Sequence, residues 1–169
     1  LVSKVVSNGS LKAVIAPTPA DVFIIAVPTP FGPGQAPDMS YVDAACKSIA
    51  PVLSKGNLVI LESTSPVGST ENISQQLAGL RPELVIAGPD GGDADVMIAY
   101  CPERVLPGKI LQELVENDRV IGGITPASSE AARAFYSIFV NGQCILTDAR
   151  TAEMCKLTEN SYRDVNIAF

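Results

Sequence analysis

Short runs of valine, isoleucine and leucine recur along this chain, and each run is followed by a turn or by a longer segment with helical periodicity. Runs that are apolar on both faces are typical of strands in a parallel sheet, whose crossover helices cover both of its faces. We predict strands at 21–27, 57–61, 96–100 and 119–122, a short strand at 84–87 and an edge strand at 144–147. The alternation predicts an α/β fold, a doubly wound parallel sheet with Rossmann-like topology.

The segments between these strands carry the start and stop signals of helices. Helices are expected at 40–53, 70–80, around 109–116 and at 127–139. Asp38 is the expected cap of the helix at 40–53, and Ser128 is the expected cap of the helix at 127–139, because short polar side chains accept hydrogen bonds from the first free N–H groups of a helix. The segment 88–95 (GPDGGDAD) predicts a surface loop. From 151 to 169 no glycine or proline interrupts the chain, which predicts a long connecting helix.

The composition limits the partners of this chain. Its 169 residues, 47% of them hydrophobic, suffice for one hydrophobic core. A net charge of −6 with 18% charged residues argues against nucleic acid as a partner, since phosphate backbones are bound by broad basic surfaces. No apolar run approaches the roughly 18 residues of a membrane span, and the first residues lack the features of a signal peptide. We therefore expect a cytoplasmic protein without a membrane partner.

The four cysteines are widely spaced, form no CxxC pair and have no histidine anywhere in the chain to join them. The usual zinc pattern is absent, and no metal site is expected. A cytosolic chain rich in core-forming residues does not need disulfides, so buried free thiols are expected at Cys46, Cys101 and Cys144. A structural role is also expected for Cys155, with a reactive thiol as the alternative, because it adjoins Lys156 and a neighbouring ammonium group favours the thiolate form.

Both ends of the chain look truncated. The chain opens without the strand and GxGxxG turn that seat a pyrophosphate on a helix N-terminus, so the N-terminal part of the sheet is expected to be missing. The last predicted helix has no stop signal. We expect residues 1–150 to form the C-terminal part of a dinucleotide-binding domain and residues 151–169 to begin a second, helical domain.

Ligands of open parallel sheets bind beyond the carboxyl ends of the strands, so the first two strand-end turns are candidate ligand sites. Thr29 stands between two prolines in VPTP, where a stiff turn holds its polar groups in place, although a merely rigid loop is the alternative. STSPVGST offers the hydroxyls of Thr64 and Thr70, with Gly68 allowing close backbone approach. Helix capping alone explains Thr70, but it does not explain a hydroxyl at the strand end.

The third turn and the last helix carry the charged candidates. In CPERVLPG, Glu103 is a candidate base and Arg104 a candidate partner for a phosphate, and a surface ion pair between them is the alternative. Lys156, Asn160 and Arg163 are spaced i, i+4 and i+7, so they share one helix face. A solvated polar stripe is the alternative there, but a partly desolvated lysine beside an asparagine is suited to proton transfer.

Five segments, in order along the chain, carry a resemblance to a known family: AVPTP, LESTSPVGST, YCPERVLPG, NDRVIGG and TAEMCKLTENSYRDVNIAF. Together they resemble the nucleotide-sugar 6-dehydrogenases of the UDP-glucose/GDP-mannose dehydrogenase family. The resemblance covers nearly the whole chain and is weakest over 88–95. UDP-glucose enzymes of this family typically carry a phenylalanine after the glutamate of the third segment and a second acid four residues after it. This chain has Arg104 and Pro107 there, which favours the N-acetylhexosamine branch.

The resemblance implies an NAD-dependent four-electron oxidation of a UDP-N-acetylhexosamine, with UDP-N-acetyl-D-mannosamine as the expected substrate, to a uronic acid for surface polysaccharide. Two NAD molecules would act in turn, through an enzyme-bound thioester. The residues implied at the cofactor are Thr29, Thr64 and Thr70. Those implied in catalysis are Lys156, Asn160 and Glu103. Those implied at the UDP-sugar are Arg104, Val105, Lys156, Asn160 and Arg163. A central helical domain beginning at the last helix would make the protein a homodimer or a higher homo-oligomer.

Some functional parts of this family have no counterpart in the chain. No segment matches the GGHC-like motif with the family nucleophile, and the fingerprint glycines and ribose-binding acid are also absent, so the activity of the chain by itself stays open. Three alternatives remain: another UDP-hexose or UDP-N-acetylhexosamine 6-dehydrogenase, a two-electron hydroxy-acid dehydrogenase that also uses a lysine and an asparagine, and a nucleotide-sugar binding module without catalysis.

Overall fold

A sheet of five strands forms the centre of the computed structural model, which describes residues 2–105 and 108–169. The strands, in both chain and spatial order, are β1 (Val22–Ile25), β2 (Asn57–Leu61), β3 (Val96–Tyr100), β4 (Arg119–Gly123) and β5 (Cys144–Asp148). The helices are α1 (Val2–Ser7), α2 (Ser40–Ile49), α3 (Ser69–Leu80), α4 (Ile110–Glu116), α5 (Pro126–Tyr136) and α6 (Ala149–Ala168). Short 3-10 turns lie at Pro33–Gln35 and Ala50–Val52.

The sheet is parallel in two blocks rather than throughout. β1, β2 and β3 are parallel, and so are β4 and β5, but β4 runs antiparallel to β3 with Gly122 opposite Tyr100. The chain leaves β3 and re-enters the sheet from the same edge, which reverses the direction of β4. This one step differs from the predicted parallel sheet, because an apolar run buried on both faces looks the same in either direction.

Helices cover both faces of the sheet, so the doubly wound α/β architecture is confirmed. One hydrophobic cluster joins α2 and α3 to the sheet through residues such as Cys46 and Leu77. A second cluster, on the other face, joins α5 to the sheet through Ala132 and Tyr136. β2 is buried along its whole length because its side chains contribute to both clusters.

Glycine in β4 allows α6 to pack directly on the strand backbone. A Cβ atom added at Gly122 would lie 2.7 Å from Cβ of Ala152 and would also collide with the carbonyl of Asp148. Asp148 caps α6 by accepting a hydrogen bond of 2.9 Å from the amide of Thr151. From this start α6 passes over β4 and contacts β3 and α3, and residues 161–168 are exposed.

Several element boundaries differ from the sequence predictions. The first predicted helix ends at Ile49, where a proline in the next turn converts it to a 3-10 helix. Asp38 accepts a bond from the amide of Ser40, but the residue at the cap position is Met39. α5 is capped by Thr125 rather than Ser128, whose amide donates to the threonine hydroxyl. The predicted strand at 84–87 is reduced to one isolated bridge.

The strands at 57–61 and 96–100 have the predicted bounds, and β5 confirms the edge strand. All four cysteines are free; Cys46 and Cys101 are buried, whereas Cys144 and Cys155 are only partly buried. In the part of the chain that the structure describes, no helix is long and apolar enough to cross a membrane.

Candidate active site

The turns after β1 and β2 are joined by side-chain hydrogen bonds. The Ser63 hydroxyl accepts a bond of 2.9 Å from the amide of Val27 and donates one of 2.7 Å to its carbonyl. The Thr29 hydroxyl donates to the carbonyl of Thr64 at 2.7 Å. Since both threonines are half-buried, each keeps some accessible surface. The structure thus brings Thr29 and Thr64 together at the carboxyl ends of two parallel strands, which is the usual ligand edge of such a sheet.

Thr70 lies in a different environment. Its side chain is fully buried, and its hydroxyl donates to the Glu153 carboxylate at 2.6 Å. The same carboxylate accepts bonds from the backbone amides of Thr70 at 2.8 Å and Gly68 at 2.5 Å. The N-terminus of α3 is therefore closed by an acid from α6. The sequence analysis missed Glu153, although its spacing from Ala149 and Ala152 places it on the packed face of α6.

In the turn after β3, neighbouring side chains have different partners. Arg104 binds Glu159 of α6 through two nitrogens, at 3.0 and 2.5 Å, and donates to the carbonyl of Asp118 at 3.1 Å. The Glu103 carboxylate accepts a bond from the amide of Arg104 at 2.7 Å and lies 3.7 Å from Nη1 of Arg119. A surface ion pair between the Glu103 and Arg104 side chains therefore does not form. Pro107, which the sequence analysis singled out, lies outside the described residues.

Lys156 is half-buried, and its ammonium group donates to the main-chain carbonyl of Glu103. Burial lowers the pKa of Lys156 from its usual 10.5, because the charged form loses solvation. The carboxylates of Glu159 and Glu103 oppose this pKa shift, whereas the guanidinium groups of Arg163 and Arg104 add to it. The lysine is thus the desolvated amine that the helix spacing predicted.

A cavity of about 230 Å³ lies between this turn and α6. Its lining consists of Arg104, Val105, Lys156, Glu159, Asn160 and Arg163. All the residues that the sequence analysis proposed for the sugar nucleotide therefore meet at one place, and their roles stay predictions. Arg163 is the most exposed of these residues: its side chain is 55% exposed, and its guanidinium lies 3.7 Å from the carboxylate of its neighbour Asp164.

A buried polar cluster that the sequence analysis missed lies on the α5 side of the same strand ends. The Tyr136 hydroxyl donates to Glu62 at 2.6 Å, and the Arg119 guanidinium lies 5.0 Å above the tyrosine ring. Burial raises the pKa of Glu62 and of Tyr136, and it raises that of the Cys101 thiol to about 12. Glu62 directly follows a strand of buried residues, which was the one local signal available.

The fold and this site define a class of protein, the doubly wound domains that bind a dinucleotide at their strand ends and here present a lysine from a following helix. A family model described as "UDP-glucose/GDP-mannose dehydrogenase family, NAD binding domain" matches residues 1–140. The chain belongs to this family, which confirms the resemblance drawn from its five segments. NAD is accordingly the cofactor of the domain.

Individual relatives agree with this assignment. The chain is 61% identical over its whole length to an NDP-N-acetyl-D-galactosaminuronic acid dehydrogenase of Ralstonia nicotianae and 62% identical to a UDP-N-acetyl-D-mannosamine dehydrogenase of Salmonella typhi. It spans 40% of the length of each of these two relatives. Among solved structures, the UDP-D-ManNAc dehydrogenase of Pyrococcus horikoshii has a TM-score of 0.91 at 42% identity, covering 99% of this chain and 39% of that one.

Proposed function

We propose that this chain is part of an NAD-dependent dehydrogenase that oxidises C6 of a UDP-N-acetylhexosamine to the carboxylate, with UDP-N-acetyl-D-mannosamine as substrate. The observation that carries the proposal is the 230 Å³ cavity, in which the half-buried amine of Lys156 meets Arg104 and Asn160. The 62% identity to the Salmonella typhi enzyme supports the choice of sugar. The 61% identity to the Ralstonia nicotianae enzyme favours N-acetylgalactosamine as the second candidate.

The turns after β1 and β2 fit a cofactor at their strand ends. The Thr29 hydroxyl is held by its hydrogen bond to the main-chain carbonyl of Thr64, so Thr29 would border NAD with little loss of side-chain freedom, and both threonines keep accessible surface. The N-terminus of α3 does not fit a cofactor phosphate, because the Glu153 carboxylate already accepts the hydrogen bonds of the amides of Gly68 and Thr70. Thr70 therefore contributes through the shape of its turn. Bound NAD supplies the hydride acceptor, and two molecules in turn account for four electrons.

The chain's own residues provide proton transfer and charge stabilisation. Lys156 would exchange a proton with the sugar hydroxyl and stabilise negative charge on that oxygen, tasks for which a lowered pKa suits an amine at neutral pH. Asn160, one helical turn further on, lines the same cavity and would orient the hydroxyl. Glu103 would assist movement of water and protons, since its half-exposed carboxylate lies beside Arg119.

Substrate recognition falls to the other lining residues. Arg104 offers a guanidinium group to the UDP phosphates, and its present partner is the carboxylate of Glu159. A bound diphosphate would therefore compete with Glu159 for the same nitrogens. Val105 and Arg163 complete the wall on which the sugar nucleotide would rest.

The test is the stoichiometry of the full-length protein supplied with UDP-N-acetylmannosamine and NAD. Two NADH per sugar are expected. One NADH per sugar would favour the two-electron alternative, and none would favour a binding module. Parallel reactions with the UDP-N-acetylgalactosamine and UDP-glucose substrates distinguish the sugars, and the N-acetylmannosamine compound is expected to give the highest kcat/KM.

We further propose that the full-length protein is a homodimer or a larger homo-oligomer and acts in the cytoplasm. Support comes from the second half of α6, whose large side chains Tyr162, Val165 and Ile167 are each at least 67% exposed in this chain. Exposed apolar side chains on successive turns of a helix are suited to packing against other helices. Light scattering should give at least twice the protomer mass, and a monomer at micromolar concentration would contradict the proposal.

A further inference from the structure

Glu153 is a fully buried acid on α6, and the proposed mechanism assigns it no role. Its carboxylate accepts hydrogen bonds from the start of α3 and the residue before it: the amide of Gly68 at 2.5 Å, the amide of Thr70 at 2.8 Å and the Thr70 hydroxyl at 2.6 Å. The donors lie more than 80 residues away in sequence. This carboxylate therefore links α6 to the turn proposed to border the cofactor.

The link replaces an ordinary helix cap. The cap residue of α3, Gly68, has no side chain and adopts a left-handed backbone conformation with φ +96°. The first amides of a helix need an acceptor, and a negative charge is favourable there because of the helix dipole. Glu153 supplies both the acceptor and the charge from a different helix, so α3 and α6 share one buried polar contact.

The position of Glu153 on α6 makes this contact relevant to Lys156. The two residues are three apart, which corresponds to about 4.5 Å along the helix axis and about 60° around it. Glu153 holds α6 against the turn after β2, and Lys156 reaches the carbonyl of Glu103 in the turn after β3. Two contacts with two different strand-end turns fix both the rotation and the axial position of α6.

We infer that Glu153 is a positioning residue, which sets the Lys156 amine relative to the cofactor turn and so links the cofactor side of the site to its sugar side. The inference rests on the proposed function. An amide at this position presents an NH2 group to donors that need an acceptor, which leaves at least one buried N–H unpaired and lets α6 shift. A misplacement of the order of 1 Å in a reacting group costs about a hundredfold in rate.

The experiment compares three single variants of the full-length protein and the double variant of the first two. Glu153→Gln removes the shared charge at nearly constant volume. Thr70→Val removes one of the donors and keeps both backbone bonds. Glu71→Gln is the matched control, because Glu71 joins the same two helices through an ion pair with Arg150 at 2.7 Å whose side chains are 23% and 59% exposed. Glutamine at this position keeps an oxygen that can accept a hydrogen bond from Arg150, so the contact between the two helices is weakened without leaving a buried group unpaired.

Steady-state kinetics and hydrogen exchange are measured on each variant. Glu153→Gln should lower kcat about ten- to a hundredfold while the KM for the UDP-sugar stays near the wild-type value. Thr70→Val should show a smaller fall, and the double variant should be no worse than Glu153→Gln, since both changes act on one contact. Amide exchange should rise in the first half of α6 and in residues 64–70 only. Glu71→Gln should behave as wild type.

Unchanged kcat in Glu153→Gln would overturn the inference, and so would equal losses in kcat, KM and exchange protection across the whole domain, which indicate general destabilisation. If Glu153→Gln does not fold, Thr70→Val is the deciding variant: a lower kcat with an unchanged KM for the UDP-sugar supports the inference, and an unchanged kcat contradicts it. If the wild-type protein produces no NADH, the proposed function fails, while the exchange of α6 and of residues 64–70 still decides whether Glu153 fixes the helix to the turn.

Discussion

Replacing Arg104 with leucine should weaken sugar-nucleotide binding without weakening the fold. The Arg104 and Glu159 side chains are 31% and 41% exposed. Ion pairs this accessible contribute about 0–1 kcal/mol to stability, so the melting temperature should change little. A hydrogen bond from a charged group to a bound phosphate contributes about 1.5–3 kcal/mol, which corresponds to roughly ten- to a hundredfold in affinity. The KM for the UDP-sugar should rise by that factor.

The assay is the initial rate of NADH formation by the full-length protein. One series varies UDP-N-acetylmannosamine at saturating NAD, and the other varies NAD at saturating UDP-N-acetylmannosamine. The KM for NAD should barely move, because Arg104 lines the cavity that is proposed to hold the sugar nucleotide. Arg133→Leu is the matched control, since Arg133 pairs with Glu130 on the exposed surface of α5 at 2.6 Å. A rise in the KM for NAD with an unchanged sugar KM would refute the assignment of this turn to substrate.

Three further predictions address the mechanism and the packing. Lys156→Ala should lower kcat by a factor of about 10²–10⁴, the usual contribution of general acid–base catalysis. The affinity for NAD, measured by fluorescence titration, should stay unchanged. An unaltered kcat would exclude Lys156 from the mechanism. The folded-state pKa of Glu62 is raised above its usual 4.5, so its stabilising contribution is complete below that pH and is lost as the pH rises through the folded-state value. The melting temperature of Glu62→Gln, relative to that of the wild type, should therefore rise from acid to neutral pH. A difference in melting temperature that does not change with pH would refute the reasoning. Gly122→Ala should cost about 1–3 kcal/mol because α6 lies against that backbone, whereas Gly79→Ala, in open space on α3, should be neutral or stabilising. If the two variants have the same midpoint in chemical denaturation, the packing argument for Gly122 is contradicted.

Local patterns predicted the elements well where a single run carried the whole signal. The bounds of β2 and β3 were predicted as the structure has them, because each strand consists mainly of one short apolar run. The direction of β4 could not be predicted, since it depends on how residues 101–118 return to the sheet. The cap of α5 was misplaced by three residues because threonine and serine both suit that position, and only the backbone conformation distinguishes them.

The candidate site was predictable where its residues are close in sequence. Lys156, Asn160 and Arg163 were grouped by helix geometry alone, and the structure places them around one cavity. Glu153 was missed because its partners are more than 80 residues away, and an acid in a helix is ordinarily solvated. The pairing of Glu62 with Tyr136 spans 74 residues and was hidden for the same reason.

The reversal of β4 brings the lysine to the strand ends. β5 runs parallel to β4, so it ends at the level of Gly123 and points away from the carboxyl ends of β1, β2 and β3. A helix that reverses direction after β5 must then run towards those ends. α6 does so, because Ala152 lies at Gly122 and Lys156 reaches Glu103, which comes after the end of β3. Had β4 and β5 continued the parallel sheet, a helix reversing after β5 would have carried Lys156 away from the threonine turns. One antiparallel step therefore directs α6 towards the strand-end turns that are proposed to border NAD.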